Sequence, residues 1–233
     1  MALMSPKAAD LLHPLRAYSE VSHHRMLHIA IAVHRTAEEI CKSGWTAGDS
    51  SPIDLPLLRF CGQRPFQRFM VDLLGSFLPP QWSIDLEMSP TRPGTVERLT
   101  ELLDLCGKVT ELERAGALRL LADEALFASS FCPQTAQDER VSPELLERVE
   151  AVLPRAVRGL LDELSGDLNS LLDLYLTFGP VWYRMASQNL LHRGVRESLS
   201  DMATEFPTAR RFLVRIAQGP LADLRHELFS LAT

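Results

Sequence analysis

Residues 110–131 read TELERAGALRLLADEALFASSF, and this stretch carries its own start, body and stop. Thr110 and Glu113 have the T-x-x-E spacing of a capping box, in which each side chain can serve the other residue's backbone N–H. Behind them, apolar residues recur at helical spacing as far as Phe131. Pro133 forbids continuation, because it has no N–H and its ring clashes with the preceding turn. A charge stands in the apolar part of this helix at Asp123. Asp123 lies between Leu121, Ala122 and Ala125, Leu126, Phe127, with Leu120 and Phe127 as its neighbours on the wheel. Its carboxyl therefore points inward, and a buried carboxyl needs a partner or becomes protonated.

The same punctuation recurs on both sides. Ser5-Pro6 reads as a cap followed by a first-turn proline, and Pro14 breaks that segment. A long helical pattern covers about residues 19–43 and ends at Gly44. Leu27, Ile31 and His34 form its apolar stripe, with Ala30, Ala37 and Cys41 beside it. Residues 44–56 form a loop rich in Gly, Ser, Asp and Pro. Phe66, Phe69, Met70, Leu73, Leu74 and Phe77 define one face of a helix from Arg64 that stops at Pro79-Pro80. Thr95 opens a helix that Gly107 closes, and Ser142-Pro143 opens another. Pro154, Gly166, Gly194, Pro207 and Gly219-Pro220 punctuate the remainder. Strict alternation at strand length and Asn-Gly hairpin turns are both missing. The expectation is an all-α multi-helix bundle of roughly eight to eleven helices with no sheet. Residues 1–94 form an N-terminal helical part with a proline-rich connector, and residues 95–233 form a C-terminal helical bundle packed with it as one body.

In residues 174–187, LYLTFGPVWYRMAS, Tyr175, Gly179 and Tyr183 fall four apart and share a helical face. Gly179-Pro180 interrupts a run where an ordinary helix would carry neither residue. Arg184 is adjacent. Tyr175, Tyr183 and Arg184 are the expected partners of Asp123. The cluster reads either as a polar ligand pocket or as an internal hydrogen-bond network that fixes helix register.

The bulk composition excludes several functions. The 24 basic and 30 acidic residues give a net charge of −6, which argues against a general nucleic-acid binder. No apolar run approaches the roughly 20 residues needed to span a bilayer, so membrane insertion is not expected. Cys41, Cys61, Cys106 and Cys132 show no zinc-ligand spacing and read as reduced, buried thiols. Together with the lack of a signal-peptide core, they point to the cytoplasm. Neither G-x-S-x-G nor S-x-x-K occurs, and phosphate-cradling glycine loops are absent. His24 and His28 stand four apart on one helix and are weak metal candidates, yet the di-iron pattern, Glu-x-x-His on each of two helices plus two more Glu, is not present. His28, His34 and His192 are the available axial ligands for a haem in a cleft lined by Trp182 or Phe178, but no CxxCH is present. No cofactor is expected. Arg184, Arg193, Arg196, Arg210, Arg211 and Arg215 alternate with Glu197, Asp201 and Glu205, as on a solvated mixed-charge face.

Three elements in order resemble a family of uncharacterised bacterial all-helical proteins. Leu121, Asp123, Ala125, Leu126, Phe127 and Phe131 fit an L-x-D-x-A-L-F-x-x-x-F element. Tyr175, Gly179 and Tyr183 fit Y-x-x-x-G-x-x-x-Y, and Met202, Ala203 and Phe206 fit a variant of L-A-x-x-F. The resemblance covers about residues 98–216. It implies a helical fold and no particular reaction. The chain departs from the family at Ser129-Ser130 and at Pro180.

The sequence thus leads to a non-enzymatic accessory or regulatory protein that acts through a protein partner or self-association. Trp45, Trp82 and Phe66 are its candidate contact aromatics. The alternative is a small-molecule binder or sensor with a pocket at Asp123, Tyr175, Tyr183 and Arg184. A metal- or haem-binding helical-bundle enzyme is the lesser alternative.

Overall fold

The computed structural model describes residues 24–43, 54–78, 92–155, 157–159, 168–190 and 192–229. Among these residues the protein is all-α, with no strand. One isolated antiparallel bridge joins Arg140 to Ser170. The Ser5-Pro6 start, the Pro14 break, Glu20, the Gly44 stop, Gly166, most of the proline-rich connector, Trp45 and Trp82 lie outside the described residues. No helix among the described residues is long and apolar enough to cross a membrane.

The long helix predicted in the centre of the sequence is also the centre of the fold. We number the helices in chain order. Residues 24–43 form α1. They are followed by α2 (Leu55–Cys61), α3 (Arg64–Ser76), α4 (Val96–Lys108) and α5 (Glu111–Phe131). Then come α6 (Pro133–Asp138), α7 (Pro143–Val152) and α8 (Leu171–Gln188). The chain continues through α9 (Arg193–Thr204), α10 (Phe206–Gln218) and α11 (Arg225–Phe229). Helix α5 packs most extensively on α8, and also touches α10, α4, α6 and α3. Every residue from Leu121 to Cys132 is buried. A helix apolar on all sides has to be surrounded, and α5 is. Helix α9 packs on α8, α2 on α10, and α4 on α7. One apolar core runs from Ile29 in α1 to Phe229 in α11.

Local chemistry accounts for the boundaries. The Glu113 carboxylate accepts hydrogen bonds from Thr110 N at 3.1 Å and Thr110 Oγ1 at 2.8 Å, which starts α5 as its T-x-x-E spacing requires. Thr95 Oγ1 accepts from Arg98 N, and Ser142 Oγ accepts from Leu145 N. Pro133 ends α5 and occupies the first turn of α6, where a missing N–H costs nothing. Ser170 and Asp173 form a second capping box at the head of α8, and Leu171 N donates to Glu139 O at 2.9 Å.

Three local expectations are corrected. First, α1 is rotated about its axis. Its buried face is Ile29, Ala32, Val33, Thr36, Ala37 and Ile40, whereas Leu27 and Ile31 are 56% and 41% exposed and His34 is also outside. Two apolar stripes that share Ala37 compete on this helix, and packing selects the one that carries Ile29, Val33 and Ile40. Second, the predicted loop over residues 44–56 gives way to α2 at Leu55, capped by Asp54, whose Oδ1 accepts from Leu57 N. Pro56 in the first turn fits a helix start as well as a loop. Third, Phe66, expected as a contact aromatic, is a buried core residue of α3, stacked on Phe60 at 4.4 Å.

Candidate functional site

Gly179-Pro180 does not break α8, which runs through both residues. The carbonyl that Pro180 leaves without a donor belongs to Leu176, on the exposed side, where water can reach it. Gly179 faces the opposite way. A Cβ there would lie 2.5 Å from Phe206 Cζ and 3.2 Å from Ala125 Cβ. The missing side chain is what lets α8 and α5 approach so closely. Ala125 sits opposite Gly179 and Asp123 opposite Tyr183, so the two helices run antiparallel.

This contact brings Asp123 and Tyr183 together. The Tyr183 hydroxyl donates to Asp123 Oδ1 at 2.6 Å, and both residues are buried. Asp123 Oδ2 accepts from Arg119 Nε at 3.3 Å, one turn earlier on α5. The Arg119 guanidinium lies over the Phe69 ring, 5.3 Å from its centre, and Phe69 meets Tyr183 edge-on. Burial raises the Asp123 pKa, against the charge of Arg119 and the Tyr183 hydrogen bond. Burial and the neighbouring carboxylate hold the Tyr183 hydroxyl well above its usual value, so it stays a donor.

Arg184 is not part of this cluster. It is exposed on the far side of α8, and Arg119 supplies the charge the sequence reading had assigned to it. The i, i+4 spacing of Arg119 and Asp123 was available as a signal. Tyr175 is fully buried but two turns from Tyr183, beside a different carboxylate.

That carboxylate is Glu124, which sequence reasoning passed over. It is 1% exposed. Its Oε1 accepts from Gly94 N at 2.8 Å, and its Oε2 lies 3.7 Å from Arg98 Nε. Gly94 has φ = 80°, and a Cβ there would touch Ala128 and Cys132 of α5, so the turn can bring its N–H against the helix. The Tyr175 hydroxyl and Glu124 Oε2 interact electrostatically, but neither has a hydrogen-bond partner of normal geometry. Burial, partly offset by Gly94 N–H and Arg98, pushes the Glu124 carboxyl up to about 7. Two adjacent carboxylates on α5 thus face opposite ways, each with a tyrosine from α8 and an arginine. The signal was legible in principle, because any charge on a helix apolar all round must be buried.

Clefts of about 200, 390 and 400 Å³ open between the described helices, and Asp123, Glu124, Tyr175, Tyr183 and Arg184 line none of them. The arrangement suits an internal network joining α5, α8 and the Gly94 turn. Trp182 and Phe178 are core residues as well, 6.1 Å apart. His34 is exposed beside Glu38, and His192 is exposed ahead of α9. His24 and His28 face each other with their Nε2 atoms 2.9 Å apart. Among the described residues, no three His, Cys, Asp or Glu side chains gather as a metal site would need.

The two other clefts merge into one groove that shares Gln63, Phe66 and Asp201. Its floor is Phe60, Phe66, Phe69 and Met202, and its rim carries Glu197, Asp201 and Glu205 with Arg59. Glu197 is paired with Arg193 at 2.7 Å. Asp201 and Glu205 make no ion pair among the described residues. Of the C-terminal arginines, Arg211 is 3.0 Å from Asp54, and Arg210 Nε donates to Ser129 O. No protein-family model, curated protein or solved structure matches the chain, so the resemblance over about residues 98–216 rests on its motif residues alone.

Proposed function

We propose that the chain is a non-enzymatic accessory or regulatory protein, and that it holds a basic, amphipathic segment of a partner protein in the groove between α2, α3 and α9. What carries this reading is an aromatic floor beneath a rim on which Glu197, Asp201 and Glu205 outnumber the one arginine that lines the groove, Arg59. Apolar side chains of a docked segment would lie against the exposed Pro56 and Pro65 and the edges of Phe60 and Phe66, and its Lys or Arg residues would face Asp201 and Glu205. The acidic balance of the whole chain favours the same sign of partner and disfavours nucleic acid. The four free thiols fit a reducing compartment, so the protein is taken to act in a bacterial cytoplasm, alone or as a homo-oligomer.

Fluorescence anisotropy with two labelled amphipathic helical peptides tests the proposal. The two share their apolar positions and carry either Lys or Glu at the others. The Lys peptide is expected to bind with a Kd of roughly 1–100 μM and to weaken as salt rises. Asp201→Lys with Glu205→Lys should weaken it by about tenfold or more, at unchanged thermal stability. Equal binding of both peptides, or indifference to the charge reversal, would refute the groove as the docking site. The alternative, a small-molecule pocket at Asp123, Tyr175, Tyr183 and Arg184, has no comparable support, because none of the three clefts described above is lined by these residues.

A further inference from the structure

On the opposite side of the molecule, the turn that supports Glu124 forms one wall of a second cleft. We propose that this cleft, of about 390 Å³ between the Arg92–Thr95 turn, α6 and α11, binds the oxyanion of a small phosphate- or carboxylate-bearing molecule. Its polar lining includes Arg92, Thr95, Gln134, Thr135, Arg225 and His226. Phe131 and Pro93 supply an apolar wall. Glu139 also lines the cleft, so two guanidinium groups face one carboxylate and the balance is positive.

Arg92, Arg225 and His226 line the cleft together, and neither arginine makes an ion pair among the described residues. Arg225 Nε and His226 Nδ1 have no hydrogen-bond partner among the described residues, but both atoms are covered by the chain itself, so the cleft is met by other atoms of these two residues. An oxyanion in the cleft would supply the counter-charge the two arginines lack, since guanidinium N–H groups donate to it. The volume lies in the lower part of the range for small-molecule sites and leaves room for an organic body beyond the anionic group. This inference is independent of the groove, which is lined by other residues of other helices.

The test uses the full chain, 15N-labelled, with inorganic phosphate, phenyl phosphate and benzoate as probes against chloride at matched ionic strength. The Arg225 Nε–H and His226 ring signals should shift saturably with at least one of them, with a Kd between about 0.1 and 10 mM. Phenyl phosphate against benzoate distinguishes phosphate from carboxylate recognition. Binding tighter than that of inorganic phosphate would assign a role to the apolar wall. Arg225→Gln should weaken binding by about tenfold or more. Arg92 is exposed, so Arg92→Gln carries the same test in a chain whose core is untouched. Arg196→Gln, on exposed α9 surface, should change nothing. Absence of a saturable shift, or a shift that survives both cleft substitutions, overturns the site.

Discussion

Replacing Glu124 by Gln should remove a defined portion of the protein's pH dependence. Gln keeps an oxygen to accept from Gly94 N–H, and its amide can donate toward the unpartnered Tyr175 hydroxyl. What it loses is the ability to titrate. In the folded chain the Glu124 carboxyl is pushed from 4.5 to about 7, chiefly by burial. An acid whose pKa is raised on folding holds its proton longer in the native state than in the unfolded one. Between pH 4.5 and 7 the native state therefore binds more protons, and stability falls as pH rises. Two and a half pH units at about 1.4 kcal/mol each give a loss of about 3 kcal/mol, complete slightly above pH 7. The stability from this group is fully present below pH 4.5 and is lost as pH rises through the folded pKa. Urea unfolding of wild type and Glu124→Gln at steps from pH 4.5 to 8 measures it, because every other titrating group cancels in the difference. The variant should gain on wild type by about 3 kcal/mol across that window. A difference that stays flat within about 0.5 kcal/mol would show that Glu124 titrates normally, and the buried-carboxylate argument would fail.

Further outcomes follow from the same contacts. Tyr183→Phe removes a 2.6 Å donor from a buried carboxylate and should cost about 1.5–3 kcal/mol in urea unfolding, whereas Arg184→Ala, on the exposed side, should stay within about 0.5 kcal/mol. Equal losses would mean that Arg184 belongs to the cluster after all. Gly179→Ala would gain about 1 kcal/mol of helix propensity but force a methyl against Phe206 and Ala125, so a net loss of about 1–2 kcal/mol is expected. A stabilised variant would contradict the close approach of α5 and α8. Burial pushes the thiols of Cys61 and Cys132 up to about 12 and that of Cys106 to about 11, while Cys41 is half-buried. At pH 8 a thiol reagent should modify Cys41 first and the other three only on unfolding; four equal rates would refute that order.

Much of the architecture was fixed by short-range chemistry and could be read along the chain. The Thr110/Glu113 capping box, the Ser142-Pro143 start and the proline at the head of α10 set helix boundaries through hydrogen bonds within one turn. The apolar period of residues 110–131 implied a helix, and its unbroken apolar character implied a surrounded one. Burial of Asp123 followed from that. Partners did not follow, because an ion pair or a hydroxyl contact depends on how two helices rotate and cross. Packing selected Arg119 over Arg184, placed Tyr175 against Glu124, and turned Leu27 and Ile31 outward in favour of the stripe that carries Ile29, Val33 and Ile40. The Gly179-Pro180 pair marks the boundary between the two kinds of information. The residues themselves announced something unusual in α8. Only the neighbouring Ala125 and Phe206 decided that it was a close helix crossing rather than a break, since backbone propensity is local and steric fit is not.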